Sequence, residues 1–142
     1  MINIQRPNSD SWSIVLGSPS AVTAPGDGVT AYLGALLQLS GASTIQSMMI
    51  PRACVIHRVD IIQIVLGTLG TTEPYSAWVR VNDSTDTLIS NGLVADAVRN
   101  VTTNSAMNLA LAEGDSIQIK LTNPTWSTNP TTVYTSAEVF FR

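Results

Sequence analysis

Charge is what this chain has least of. Of its 142 residues only 12% are Asp, Glu, Lys or Arg, against ~25% in ordinary soluble proteins. Hydrophobic residues make up 44% and the mean hydropathy is +0.22. Disordered chains show the opposite balance, so a folded domain is expected. The net charge of −3 and a pI near 4.8 would weakly repel phosphate, which excludes a basic nucleic-acid binder. Long apolar runs are missing too. The longest, Ile61-Ile62-Gln63-Ile64-Val65-Leu66, falls far short of the ~20 residues of a membrane-spanning helix.

Cysteine and histidine are almost absent. Cys54 is the sole cysteine, so no internal disulfide can form and a disulfide-stapled scaffold is excluded. Flanked by Ala53 and Val55, it reads as a small buried hydrophobe. His57 is the sole histidine. With no partner of its kind it offers no zinc-type ligand set. Three residues apart on a strand, Cys54 and His57 would point to opposite faces, which argues against a nucleophile pair. Asn82-Asp83-Ser84-Thr85-Asp86 lacks the Gly and the Glu of a calcium loop and reads as a polar hairpin turn. The glycine pairs Gly26/Gly28 and Gly67/Gly70 lack the Lys-Ser/Thr of a phosphate loop. Ten carboxylates are spread mostly through turns, and no Gly-x-Ser-x-Gly occurs. No catalytic group, metal or cofactor is expected, and the chain reads as a non-enzyme. The start, Met1-Ile2-Asn3-Ile4-Gln5-Arg6, has no basic stretch leading into an apolar run, so no secretory leader is expected.

What is present is β pattern. Ser116-Ile117-Gln118-Ile119-Lys120-Leu121 alternates polar and apolar residues with period 2, placing Ile117, Ile119 and Leu121 inward. In the final segment Val133, Thr135, Ala137, Val139 and Phe141 share one face. Tyr134, Ser136, Glu138 and Phe140 share the other, with more aromatic surface than a solvated face needs. Ala77, Val79 and Val81 alternate with Trp78, Arg80 and Asn82. Across 55–66, strict alternation puts Val55, His57, Val59, Ile61, Gln63 and Val65 on one side. Ile56, Arg58, Asp60, Ile62, Ile64 and Leu66 fall on the other, with Arg58 and Asp60 as paired neighbours. Both sides turn apolar towards the end, the mark of a central strand covered twice. Turn signals at 67–74, 82–86, 113–115 and 123–130 separate short strands, which suggests a sandwich or barrel.

Residues 1–30 differ. Pro7, Pro19, Pro25 and many serines give an extended N-terminal arm in composition, with Trp12-Ser13-Ile14-Val15-Leu16 its only strand-like stretch. The arm is expected to be held against a neighbour, the alternative being a first strand docked on the domain's own sheet. Residues 31–142 form the domain. Ala31–Leu39 matches helical spacing in part but holds Gly34 and lacks a cap, and reads as strand. Ser90–Asn100 could hold one helical turn. Of the three tryptophans, Trp12 and Trp78 suit core or interface anchors. Trp126, in its Pro-bounded loop, is the candidate ligand contact, a platform for a sugar ring.

From residue 50 onward the order of signals carries a resemblance. Ile50-Pro51-Arg52-Ala53 opens a long strand. Trp78-Val79-Arg80-Val81-Asn82, Asn100-Val101-Thr102-Thr103-Asn104, Leu109-Ala110-Leu111-Ala112-Glu113-Gly114-Asp115-Ser116-Ile117 and Ser136-Ala137-Glu138-Val139-Phe140-Phe141 follow. This resembles the small jelly-roll modules of phage virions, related in shape to the trimeric tumour-necrosis-factor-like fold. A compact module with an N-terminal arm and no shaft or heptads is similar to head-decoration (cement) proteins. The resemblance implies an all-β antiparallel jelly-roll sandwich. It also implies a homotrimer, made in the host cytoplasm, that sits on the outer capsid surface and binds the major capsid protein of the same virion. Neither nucleic acid nor membrane would be a partner. The candidate capsid or inter-subunit contacts are Trp12, Ile14 and Leu16 of the arm, with Tyr134 and Phe140. The alternative is a tail, baseplate or fibre head domain that binds a receptor glycan.

The residues carry an oligomer expectation of their own. The surplus apolar faces Tyr134/Phe140 and Ile62/Ile64/Leu66 should meet another subunit. Strand edges are usually guarded by charge, especially lysine, and Lys120 is the only lysine.

Overall fold

The structure, a computed structural model, describes residues 11–17, 22–23, 26–34 and 47–142, with only the backbone placed at 22–23. All regular elements among them are strands: β1 (Trp12–Gly17), β2 (Val22–Thr23), β3 (Thr30–Leu33), β4 (Met48–Met49), β5 (Cys54–Leu66), β6 (Tyr75–Val81), β7 (Thr85–Leu93), β8 (Arg99–Asn104), β9 (Leu109–Leu111), β10 (Ser116–Thr122) and β11 (Thr132–Phe141). The region 90–100 holds no helical turn. Ala31–Leu33 is strand as expected, while residues 35–39 lie outside the described residues.

The strands form two antiparallel sheets. The first runs β1-β11-β5-β8, with β2 continuing β1 along β11 and β9 continuing β8 along β5. The second runs β3-β10-β6-β7, with β4 continuing β3 along β10. Each is therefore four strand positions wide. The chain crosses between sheets after β2, β4, β5, β7, β9 and β10, remaining in one sheet only at the β6–β7 hairpin and within the continued edge positions. Two interlocked Greek keys of this kind make a jelly-roll sandwich.

The core lies between the sheets. Val59, Ile61, Ala137 and Val139 of the first meet Ala77, Val79, Ile117 and Ile119 of the second, all essentially without exposure. The alternations read from 75–81, 116–121 and 132–141 set these inner faces. The strand β5 departs from strict alternation. Its pairing with β11 shifts between Phe140 (opposite Arg58) and Phe141 (opposite Ile56). This bulge absorbs one residue, so Ile56 and Cys54 turn inward although they are out of phase with Val59, Ile61, Gln63 and Val65. The expected placement of Ile56 on the side of Arg58, Asp60 and Ile62 is thus corrected: it is fully buried on the inner side.

Within the expected arm, Trp12–Gly17 is a strand of the domain's own sheet. It pairs with β11 from Trp12 opposite Phe141 to Gly17 opposite Ser136. Leu16 is fully buried, Trp12 and Ile14 pack on the core, and the Trp12 ring stacks on Phe141 at 3.9 Å between centroids. The physical reason is twofold. The edge of β11 needs backbone partners, and the inner surface beside Phe141 needs apolar cover. Residues 1–10, 18–21 and 24–25 of the expected arm lie outside the described residues.

Two turns fix local register. Asn82 and Asp83 have φ of 50° and 56°, and Ser84 N–H donates to the Val81 carbonyl at 3.1 Å. This is the left-handed geometry that matches strand twist in a hairpin, and Asn and Asp tolerate it best after glycine. Gly114, with φ of 87°, makes the tight Glu113-Gly114-Asp115 turn into β10.

Candidate functional site

The outward face of the first sheet is the most unusual surface. Antiparallel register aligns its residues in rows across four strands. One row is Gly17, Ser136, Ile62 and Val101; the next is Val15, Glu138, Asp60 and Thr103; on the other side lie Tyr134, Ile64 and Arg99. Their chain neighbours Ala137, Val139, Ile61 and Val59 are buried, so these rows face away from the core. Val101, Tyr134, Leu66 and Val15 are exposed, and Ile62 and Ile64 are half-buried. An antiparallel sheet with one wet face normally shows polar residues there. Here the two central strands present Ile62, Ile64, Leu66 and Tyr134 with Val101 beside them, a contiguous apolar strip of the kind that marks an interaction surface.

Arg58, Asp60 and Glu138 sit at one end of this face and are already partnered, while Arg99 of β8 is exposed opposite Ile64 at the other end. Arg58 donates to both Asp60 carboxylate oxygens, at 2.9 and 2.7 Å, and its guanidinium lies 5.2 Å from the Phe140 ring centroid. The Arg58 hydrogen bonds hold the Asp60 carboxyl below its ordinary range. Ser13 Oγ donates to Glu138 Oε1 at 2.9 Å. The expected pairing of Arg58 with Asp60 is present.

The outward face of the second sheet contrasts with it. Lys120 Nζ lies 2.6 Å from Asp86 Oδ2 and 5.1 Å from the Trp78 ring centroid. Arg80 reaches the same carboxylate at 3.2 Å. Gln118, almost fully buried, donates to Asp83 Oδ1 at 2.8 Å. Trp78 thus belongs to a charged outer face, with a cation over its ring, whereas Trp12 packs on the core.

The site residues read from sequence divide accordingly. Tyr134 and Phe140 project from the apolar face, as their alternation implied. Leu16 is sealed inside this chain's own core, and Trp12 and Ile14 pack against it, so the outward residues of β1 are Ser13 and Val15. Val15 and Val101 were not singled out from sequence. The signals were there: Ser13 fixes the phase of a five-residue stretch that is otherwise apolar, and Val101 alternates with Asn100 and Thr102.

Trp126 is the clear correction. It is only 6% exposed and meets Tyr75 edge-on at 6.3 Å between centroids. Its loop is tied down on both sides. Asp27 Oδ1 accepts from Trp126 N–H at 3.1 Å. Glu73 Oε1 accepts from Ser127 N–H and Oγ at 3.1 and 2.6 Å. Thr71 and Thr128 exchange hydrogen bonds at 3.0 and 3.1 Å. The Ser127 hydroxyl, then that of Thr71, lowers the Glu73 carboxyl to about 2. A polar, proline-bounded loop reads as exposed, yet the open end of a sandwich must be plugged, and the one large apolar side chain of the loop plugs it.

Behind Trp126 lies a cavity of about 40 Å³, walled by Ala31, Leu33, Leu121, Val133 and Ala95, with Gln63, Tyr75, Asn123, Trp126 and Thr135 as its polar-bearing lining. On two of these lining residues, Tyr75 Oη and Trp126 Nε1 are buried without a protein hydrogen-bond partner. Each such orphan costs about 1–3 kcal/mol. Burial pushes the Tyr75 phenol far above its ordinary range, so it stays neutral.

Elsewhere, burial raises the Cys54 thiol, which sits in the core cluster as a small hydrophobe. Among the described residues no group of three or more His, Cys, Asp or Glu could hold a metal ion. Compared with known proteins, the chain matches no protein-family model and no curated protein sequence.

Proposed function

We propose that this chain is a structural subunit of a virion. In this reading it is a head-decoration protein that assembles as a homotrimer on the outer capsid surface, against the major capsid protein. The observation that carries the reading is the outward apolar strip of the first sheet, Tyr134-Ile64 and Ile62-Val101 on adjacent strands. A subunit whose working state is an assembly can leave such a strip on its two longest strands, because a neighbour covers it. The jelly-roll topology and the scarcity of charge support the same reading. Binding only the assembled shell would stabilise that shell by linkage. Because Trp12–Gly17 is built into the sandwich, that segment is not an arm over neighbouring capsomers. The alternative, a tail or baseplate head domain binding a receptor glycan, loses its ligand candidate with the burial of Trp126.

The test is mass by light scattering at micromolar concentration, followed by addition to undecorated capsids. The native chain is expected to be trimeric and to add at fixed stoichiometry. Val101→Glu changes an exposed position and should keep the fold while yielding monomer. A monomeric native chain, or a trimer unaffected by Val101→Glu, would remove the apolar strip as the contact face. A trimer that ignores capsids would remove the decoration role while leaving the interface.

A further inference from the structure

The cavity beside Trp126 belongs to neither face of the sandwich and is not part of the proposed assembly surface. It has two features that a packing fault would lack. Residues bearing polar groups line it from separate elements: Gln63 from β5, Tyr75 from β6, Thr135 from β11 and Trp126 from the loop between β10 and β11. Two of these groups, Tyr75 Oη and Trp126 Nε1, are buried without a protein partner, on residues 3% and 6% exposed.

We infer that this cavity is a built internal hydration site, in which ordered water completes the hydrogen bonds of Tyr75 Oη and Trp126 Nε1 and bridges the two sheets. The chemistry of the lining selects the guest. An indole N–H only donates, so the guest must accept. The phenol can then donate to it or accept from it. Gln63 Nε2 is already turned to Thr135 Oγ1 at 3.4 Å, a long bond that leaves both groups with capacity to spare. No charged side chain lines the space, so an ion would be uncompensated and the guest is neutral. Size narrows it further. One water needs roughly 10–15 Å³ of such volume, so about 40 Å³ holds water molecules and excludes a ring-sized ligand. The apolar walls supply no competing partners, which fixes the water between the polar groups rather than letting it wander.

The site also explains why the sandwich is polar at this one end of its interior. Gln63 and Thr135 lie on the inner face of the first sheet, among Ile61, Val65 and Val133, and Tyr75 faces them from the second. Elsewhere between the sheets the buried residues are apolar. Here the two layers would be joined through solvent.

The experiment is a crystal structure of the full chain, in native crystals and after xenon pressurisation. A hydrated polar cavity shows water density within hydrogen-bond distance of Trp126 Nε1 and Tyr75 Oη and takes up no xenon, whereas a dry cavity binds the gas. That first pattern is expected. Xenon in the cavity with no water density overturns the inference. So does a direct protein partner on both orphan atoms. Tyr75→Phe keeps the ring and removes one anchor, so water occupancy at the site should fall in its crystals. Unchanged occupancy would show that the phenol does not hold the water.

Discussion

The assignment of β1 to the core makes Leu16→Ala the most informative substitution in the chain. In an arm that lies on a neighbouring subunit, Leu16 would matter only to binding. In the sandwich it is fully buried on a strand paired with β11. Replacing it by alanine removes about three carbons from the core, worth about 2.4 kcal/mol at ~0.8 kcal/mol per buried methylene. The unfilled space adds a cavity term of ~24 cal/mol per Å³ that does not collapse. Because β1 lies at the edge of its sheet, partial collapse is expected, which places the total near 3 kcal/mol. For a chain of this size that is a fall in Tm of roughly 10 °C. The control is Val15→Ala one residue away, at a position 66% exposed, where the change should stay within about 0.5 kcal/mol. Both are read by urea and thermal unfolding followed by circular dichroism, at a single concentration so that association cannot shift the midpoint. If Leu16→Ala costs less than about 1 kcal/mol, or no more than Val15→Ala, then β1 is not a core strand and the phase assigned to it is wrong.

Three further outcomes follow from the geometry. Glu73 is held down to about 2 by the Ser127 and Thr71 hydroxyls. Its folded value is depressed, so its contribution is complete above its ordinary range near 4.5 and is lost as pH falls towards about 2. Melts of the native chain and Glu73→Gln should therefore differ near neutral pH and converge under acid; a constant gap would refute the pairing. Asn82→Ala leaves a left-handed backbone position without an Asn and removes the side-chain bonds to Asp115 Oδ1 and Ser116 N–H. A loss of about 2–3 kcal/mol in urea unfolding is expected, and a loss under about 0.5 kcal/mol would contradict the turn. If the apolar strip drives association, raising salt well above physiological strength should not dissociate the trimer, because the Arg58–Asp60 pair is internal and Arg99 alone leaves screening little to weaken. Dissociation by salt in sedimentation runs would point to a charged interface instead.

Much of the fold is legible in the sequence because most strands obey period 2 without interruption. Residues 116–121 and 132–141 announce both their strands and their inner faces, and Asn82-Asp83 announces the hairpin. Three features were not legible, each for a physical reason. Ile56 joins the core because a bulge shifts the register by one residue, and alternation carries no mark of where a bulge falls. Trp126 is buried because the end of the sandwich needs a plug, a demand set by tertiary structure and invisible in a Pro- and Thr-rich loop. Trp12–Leu16 reads as strand, but its partner β11 lies almost a whole chain away, so the sequence leaves docking on the domain's own sheet only as the alternative to an arm on a neighbour. The apolar strip was half legible. Tyr134, Phe140, Ile62 and Ile64 could be read as surplus on their own strands, but only the register shows Ile62 beside Val101 and Ile64 beside Tyr134.

The scarcity of charge takes on direction once the two faces are compared. The second sheet spends Arg80, Lys120 and Asp86 on one cluster over Trp78, so its outer surface is a wet one. The first sheet places its ion pair and Glu138 at one end and leaves the other end to Ile62, Ile64, Leu66 and Tyr134, with Arg99 as the one charge at its margin. Its edge strand β8 carries a single cation, Arg99 at its first position, and no lysine along the rest, where charge commonly guards an exposed edge; the only lysine lies on the opposite sheet. From Asn100 onward, face and edge are therefore free of charge guards beside the strip. A partner approaching there meets apolar surface and open backbone groups together, whereas one approaching the second sheet must strip water from a salt-bridged cluster. The asymmetry orients the subunit in the proposed assembly, with the first sheet turned towards its neighbours and the charged sheet towards solvent.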